Sequence, residues 1–461
     1  MAVVMKFGGT SVADPAAFEN VARIVAAEHK AAPVVVVSAM SRVTDSLLNA
    51  TSLAAKGDSQ HAFASLENVF KRHEAAADEL LSDPRREEFL KHLHSAADQI
   101  SGLLRQVAQK PSERKALQDA VVSFGEMLSS TLLAAVLNQR DINAQQVDAR
   151  RCIITDDEHT CAAPLMKESS SHTQNELLPI LEDRIVPVLG GFVGATRRGA
   201  TTTLGRGGSD YTAALIGALI GASEIQIWTD VTGVLTADPR VVPHAQTIER
   251  LSYSEAAELA YFGAKVLHPK TIHPAIENSI PVRICNSREP EAQGTLVGPE
   301  TETLPRTIKA IAHRTGVTVI QITSARMLGA YGFLRALFEV FDRHRTVVDV
   351  VTTSEVSVSV SLDEAGALPE MVAELEVLGT VKVKKGQAIV CVVGEGLRGA
   401  PGIAARAFST ISDVNVSLIS QGASPINFTF VVYEGRVQEV VTRLHEEFFA
   451  TRKYKEHKTE G

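Results

Sequence analysis

The stretch Val3-Val-Met-Lys-Phe-Gly-Gly-Thr-Ser11 puts a lysine at the end of an apolar run and two glycines directly behind it. An uninterrupted run such as Ala2–Phe7 reads as a strand buried on both faces, and Gly8-Gly9 as the tight loop that ends it. Glycines let backbone N–H groups approach an anion, and the lysine supplies a point charge. Ligands of open α/β sheets sit at such carboxyl ends of strands. Working outward, Asp14-Pro15 is a helix start, with Asp as N-cap and Pro in the first helical position. Phe18, Val21 and Val25 follow at helical spacing. Pro33-Val-Val-Val-Val-Ser38 is a second buried strand, and Ile185–Leu189, Glu224–Thr229 and Pro281–Cys285 are further ones. Residues from about 50 to 115 are polar, Ala-rich and helical in pattern, a helical excursion from this core. The alternation predicts an α/β fold, a mainly parallel sheet sandwiched by helices.

With 461 residues the chain exceeds one ordinary core, and two or three domains are expected. A formal net charge of −8 argues against a nucleic-acid partner, which needs a basic face. Cys152, Cys161, Cys285 and Cys391 form no C-x-x-C pair, so neither a zinc site nor a disulfide framework is indicated. A reducing compartment, the cytoplasm, is the expectation. No secretory leader is legible, and no continuous apolar run reaches the roughly 20 residues that span a bilayer.

Ala292-Gln-Gly-Thr295 and the polar Gly298–Arg306 read as a linker. Beyond it lies a weak internal repeat. One copy runs Val317–Ile322, Gly332–Arg343 and Val347–Leu362; the other runs Ala388–Val393, Gly402–Ser412 and Val414–Val432. Each reads strand, glycine loop, helix, strand, turn, strand. The alternation of Val356–Leu362 is that of a half-exposed antiparallel strand. Two small α+β modules are predicted.

Further glycine and polar motifs fall at strand ends in the first half. Gly190-Gly-Phe-Val-Gly194 follows the Ile185–Leu189 strand. Gly205-Arg-Gly-Gly-Ser-Asp210 opens the helical stretch Tyr211–Ile220, with Ser209 or Asp210 as its cap. A glycine loop leading into a helix N-terminus is a general phosphate cradle, although this one is neither a Walker A loop nor a dinucleotide fingerprint. Trp228-Thr-Asp-Val-Thr-Gly233, Asp238-Pro-Arg240 and Gly263-Ala-Lys-Val-Leu-His-Pro269 come next. Polar motifs at the ends of several strands of one sheet converge on a single cleft.

Taken in order with Ser123-Phe-Gly-Glu126, these motifs resemble the amino-acid kinase superfamily and, within it, the aspartate kinases, from end to end of the chain. The resemblance implies transfer of a phosphoryl group from ATP, with Mg²⁺, to the side-chain carboxylate of L-aspartate. It implies catalytic roles for Lys6 and Asp210, with Asp210 orienting Lys6 through a charge-assisted hydrogen bond, and backbone donors at Gly8, Gly9 and 207–209. Ser38, Thr44, Glu126, Arg206 and Ser209 would hold the amino acid, Arg206 on its α-carboxylate and Glu126 on its α-ammonium. Thr229, Asp230, Leu235, Arg240, Lys265 and Val266 would meet the nucleotide; Leu235 stands where the family usually has an aromatic residue. No protein-held metal cluster is implied.

The same resemblance implies a kinase domain over residues 1–297 and a regulatory region over 298–461 built of two ACT modules. The first, about 315–385, is inserted into the second, about 305–314 plus 386–455. Met327-Leu-Gly-Ala-Tyr-Gly-Phe-Leu334 and Val348-Asp-Val-Val-Thr-Thr-Ser-Glu355 look most like the lysine-sensitive, monofunctional group. Met327, Gly332, Phe333, Leu334, Asp349, Thr353 and Ser354 are the implied effector contacts, with Asp349 on an ammonium; Ala330 departs from the polar residue often found there. ACT modules pair through their sheets, so a homodimer, or a tetramer of paired dimers, is expected. Other readings are another small-carboxylate kinase of the superfamily, a non-catalytic amino-acid sensor, and the kinase part of a kinase–dehydrogenase fusion. The absence of a dinucleotide motif speaks against the last.

Overall fold

The computed structural model describes residues 2–263, 267, 269–299, 308–363 and 366–450. The chain divides into two compact units, one of Met1–Val234 with Leu267–Pro299, the other of Leu235–Val266 with Glu300–Gly461.

In the first unit, the strand Val3–Phe7 lies at the centre of the sheet. It runs parallel to Pro33–Val37 on one side and Glu224–Thr229 on the other, so that Lys6 is level with Val36 and Ile227. Both Val3–Phe7 and Pro33–Val37 are buried throughout, which explains why neither alternates polar and apolar residues. The order across the sheet is Ala144–Val147, Val186–Gly190, Pro33–Val37, Val3–Phe7, Glu224–Thr229, Val282–Asn286 and Thr295–Gly298, parallel except for the last pair. As expected, the Asp14 carboxylate caps the helix Pro15–Ala27 by accepting from the Ala17 N–H at 2.9 Å. Phe18, Val21 and Val25 face the core.

The helical excursion consists of Val43–Ala55, Ser59–Leu80 and Arg85–Gln109, and it leads into the long helix Arg114–Gln139. That helix is long and apolar enough, by length and composition, to cross a bilayer. However, 78% of its apolar window is buried inside the protein, as in a core helix. Its burial positions the Ser123–Glu126 motif.

The second unit is built on an antiparallel sheet, in the order Val348–Thr353, Ser357–Leu362, Ile308–Thr323, Thr380–Gly394, Asn427–Tyr433, Val416–Gln421. Its two long central strands pair with each other along their whole length, and each gains a second neighbour over one half. Ala310–Arg314 pair with Ile389–Val393, and after a register break past Arg314 the run Val319–Thr323 pairs with Thr380–Lys384 and with Ser357–Ser361. The helices Phe333–Arg343 and Ile403–Thr410 both start from a glycine in the left-handed region, Gly332 at φ 80° and Gly402 at φ 83°. Each repeat closes with a helix that sequence periodicity missed, Leu368–Glu376 and Val437–His445. At 9 residues each, these are too short to show a sustained period. Separate cores form around Ile320, Phe341 and Val360, and around Val390, Phe430 and Leu444.

Candidate active site

The carboxyl ends of the central strands open into a cleft of about 700 Å³. Lys6, only 9% exposed, reaches it from the central strand, and its Nζ lies 2.6 Å from Asp210 Oδ1. This is an ion pair without the alignment of a hydrogen bond, so the ammonium is neutralised but its protons are not all committed. Gly8, expected to turn its N–H to an anion, donates instead to the Trp228 carbonyl at 3.2 Å and stitches the two strand ends together. Gly9 has to be glycine, because a Cβ there would stand 2.9 Å from the Ala39 carbonyl oxygen.

Asp210 lies in the first turn of the helix Gly208–Ile220. Neither Ser209 nor Asp210 caps that helix. The N-cap is Gly207 at φ 74°, and no side chain accepts from the first turn. The early N–H groups of a helix have no acceptor within it, so this start points unpaired donors outward. Gly191 backs the loop closely: a Cβ there would lie 2.7 Å from the Ser209 Cβ.

The same cleft is lined by Ser38, Thr44, Glu126, Arg206 and Ser209. Ser38 directly follows its strand, while Thr44 sits in the first turn of the helix Val43–Ala55. Glu126 is 3% exposed, and burial pushes its pKa up to about 8 against the pull of the Ala39 N–H it accepts from. Its Oε2 has no partner. Arg206 is exposed and has no carboxylate partner among the described residues. A buried acceptor and a free guanidinium in one cleft suit a ligand that carries both an ammonium and a carboxylate.

A model of the amino acid kinase family matches residues 1–286, and one of the ACT domain matches residues 390–448. Lysine-sensitive aspartokinase 3 of Escherichia coli is 38% identical over 457 residues, covering 97% of this chain and 99% of the relative. Chloroplastic aspartokinase 1 of Arabidopsis thaliana is 38% identical over 461 residues, covering 97% of this chain and 80% of the relative. The chain belongs to the aspartokinases. Crystal structures of E. coli aspartokinase III agree in fold. The complex with aspartate and ADP gives a TM-score of 0.79 over 97% of this chain and all of that one, at 38% identity. The complex with lysine and aspartate gives 0.81 over 97% and 99%, also at 38% identity.

The other residues implied by the aspartokinase resemblance fall in several places. Thr229 lines the cleft, and its hydroxyl donates to the exposed Asp230 at 3.2 Å. Leu235 and Arg240 belong to the second unit, where the Arg240 side chain is 85% exposed and grips Asp238 at 2.6 Å. Lys265 and Val266 lie outside the described residues. Gly332 and Phe333 start a helix and Leu334 is exposed beside them, while Met327 packs into the first repeat's core. Thr353 and Ser354 are exposed, and the Ser354 hydroxyl contacts that of Ser357 at 2.8 Å.

Asp349 differs from expectation. Its carboxylate is 2% exposed and already holds the Tyr261 hydroxyl and the Arg314 guanidinium, which also stacks over the Tyr261 ring at 5.4 Å. Burial raises the Asp349 pKa, partly opposed by Tyr261 and Arg314. Cleft residues that the sequence reading missed include Arg42, Asp45, Gln118, Thr160, Phe192 and Thr203. Phe192 stood inside a quoted glycine motif, but its position at φ 69° with its ring against Gly208 is a tertiary fact.

Proposed function

We propose that this chain transfers the γ-phosphoryl group of ATP to the side-chain carboxylate of L-aspartate, giving 4-phospho-L-aspartate and ADP, the first step toward lysine, threonine and methionine. The observation that carries the reading is the cleft that joins the Lys6–Asp210 pair to the buried Glu126, whose Oε2 has no partner, and to Arg206, which has no carboxylate partner among the described residues.

The nucleophile has an ordinary pKa of about 4, so it is ionised at neutral pH and needs no general base. A carboxylate oxygen bonds to phosphorus as the bond to the ADP oxygen breaks, and no net proton moves. The barrier is repulsion between anions, and positioned cations and N–H donors lower it. Lys6 contacts the phosphoryl oxygens as Asp210 holds it, and Gly9 with the start of the Gly208–Ile220 helix supplies backbone donors. Arg206 takes the α-carboxylate, Glu126 the α-ammonium, and Ser38, Thr44 and Ser209 the remaining polar atoms. Thr229, Asp230, Leu235, Arg240, Lys265 and Val266 attend the nucleotide, which arrives as Mg-ATP. The Mg²⁺ would be held mainly by phosphate and water oxygens.

Residues 298–461 act as a regulatory region of two ACT modules, one inserted in the other, and lysine is the effector. The second neighbour gained only over the later half of Ile308–Thr323 supports that division, since Ile311 and Ile320 serve different cores. Exposed Leu334, Phe338, Val347 and Val351 on the first module support pairing of two copies. Four free cysteines agree with a cytoplasmic setting.

The test is aspartate-dependent ADP release with hydroxamate trapping of the acyl phosphate, using the whole chain. Lys6→Ala should lower kcat about 100-fold or more with an unchanged circular dichroism spectrum. A retained kcat refutes the assignment.

A further inference from the structure

Asp119 takes no direct part in the chemistry above, yet its carboxylate is completely buried and holds three donors from two distant segments. The Thr203 hydroxyl donates to Oδ1 at 2.6 Å, and Oδ2 accepts from the Thr160 backbone N–H at 2.9 Å and from His159 Nδ1 at 3.0 Å. Thr160 and Thr203 line the cleft; Asp119 and His159 stand behind it.

What these bonds hold in place is the support of Arg206. A Cβ on Gly205 would lie 3.2 Å from Cys161 Sγ and 3.5 Å from the Thr160 carbonyl oxygen, so the loop that carries Thr160 packs directly on Gly205. Gly205 is at φ 76° and immediately precedes Arg206. The Ala162 N–H donates to the Thr203 carbonyl at 2.9 Å and ties that loop to the strand Thr201–Thr203. Thr160 itself sits at φ 74°, a conformation a threonine keeps only when its surroundings impose it. A desolvated carboxylate that accepts several short bonds is a strong constraint. The helix that carries Asp119 presents Glu126 two turns later.

We infer that Asp119 is a positioning residue that fixes the wall behind Gly205 and so aims Arg206 at the α-carboxylate of the amino-acid substrate. The inference rests on the reading of Arg206 given above. One helix then sets both ends of the amino acid, the ammonium through Glu126 and the carboxylate through Asp119 and the loop it anchors.

The experiment compares L-aspartate with its α-amide, in which the α-carboxylate is neutral, in the whole chain and in Asp119→Asn, His159→Ala and Arg206→Ala. In Asp119→Asn the ratio of kcat/KM for aspartate over the amide should fall about tenfold, toward that of Arg206→Ala. The loss should lie in the aspartate KM, while the KM for Mg-ATP stays within about twofold. His159→Ala removes one donor from a loop and should shift the ratio the same way by about 2–5-fold. It tests the inference even if Asp119→Asn does not fold. A wild-type ratio in both Asp119→Asn and His159→Ala, with a lowered ratio in Arg206→Ala, overturns the positioning role and leaves the substrate reading intact. Equal ratios in wild type and Arg206→Ala overturn the reading of Arg206, and this inference with it.

Discussion

If Glu126 binds the α-ammonium as proposed, the affinity for aspartate depends on pH. The carboxyl is buried and its pKa is raised from 4.5 to about 8, with one oxygen unpartnered. Only the ionised form attracts an ammonium, so the binding-competent fraction is the ionised fraction. With a pKa of about 8, that fraction is about 1% at pH 6, about 10% at pH 7 and about one half at pH 8. Apparent affinity scales with the competent fraction, so the KM for aspartate should fall roughly 50-fold from pH 6 to pH 8. The assay is initial-rate ADP release at saturating Mg-ATP, which keeps titration of the nucleotide out of the aspartate KM. Glu126→Gln should raise the KM and leave it flat over the same range.

Stability runs the other way. A carboxyl whose folded pKa is raised contributes stability that is fully present below its unfolded pKa and is lost as pH rises through the folded one. The Tm of the ligand-free protein should therefore drop from pH 5 to pH 8 more in wild type than in Glu126→Gln. Asp119, whose pKa burial also raises, contributes a drop common to both. Added aspartate should restore the difference at pH 8. An aspartate KM that changes less than about threefold between pH 6 and pH 8 would refute the proposed ammonium contact or the burial behind it.

Gly191→Ala would put a Cβ 2.7 Å from Ser209 Cβ and 2.8 Å from its Cα, which forces the start of the Gly208–Ile220 helix to shift. A fall in kcat/KM of about tenfold or more with little change in Tm is expected, by steady-state kinetics and thermal melting. Tyr261→Phe frees one acceptor of the Asp349 carboxylate, and the lysine concentration for half-inhibition should fall about threefold to tenfold. Asp349→Ala should remove lysine inhibition altogether; inhibition curves for the two variants that overlay wild type would rule out Asp349 as the effector's anchor.

The catalytic half was legible because its signals are local. Lys6, Asp210 and Arg206 each sit beside glycines at a strand end or helix start, and parallel strands of one sheet bring such ends together. Glu126 was legible by motif, though its burial was not, since that depends on Gly190 letting the helix approach: a Cβ there would stand 2.9 Å from Glu126 Cβ. Asp119 escaped notice because its partners are 40 to 84 residues away and nothing near it in sequence marks it. Capping by Ser209 or Asp210 was a sound local expectation that lost to the left-handed Gly207, which begins the helix two or three residues earlier and leaves the donors free. The Tyr261–Asp349 contact, 88 residues apart, likewise carries no sequence signal.

The regulatory repeat separates fold from chemistry. Both copies start a helix from a left-handed glycine, Gly332 and Gly402, and both follow it with an edge strand, so the backbone is the same twice. At equivalent places on those strands stand Asp349 and Ser417. Asp349 is a carboxylate held by a guanidinium and a phenol. The Ser417 hydroxyl donates to the Gln387 amide oxygen at 3.1 Å and offers no charge. An ammonium desolvated at an ACT interface needs an anionic partner, because burying it unpaired is far costlier than burying a neutral group. Only the first module supplies one at this position. If Asp349 exchanges Arg314 for the effector's ammonium, the symmetry of the fold does not extend to the effector, and one lysine per chain, at the first module, is the stoichiometry that titration calorimetry should return.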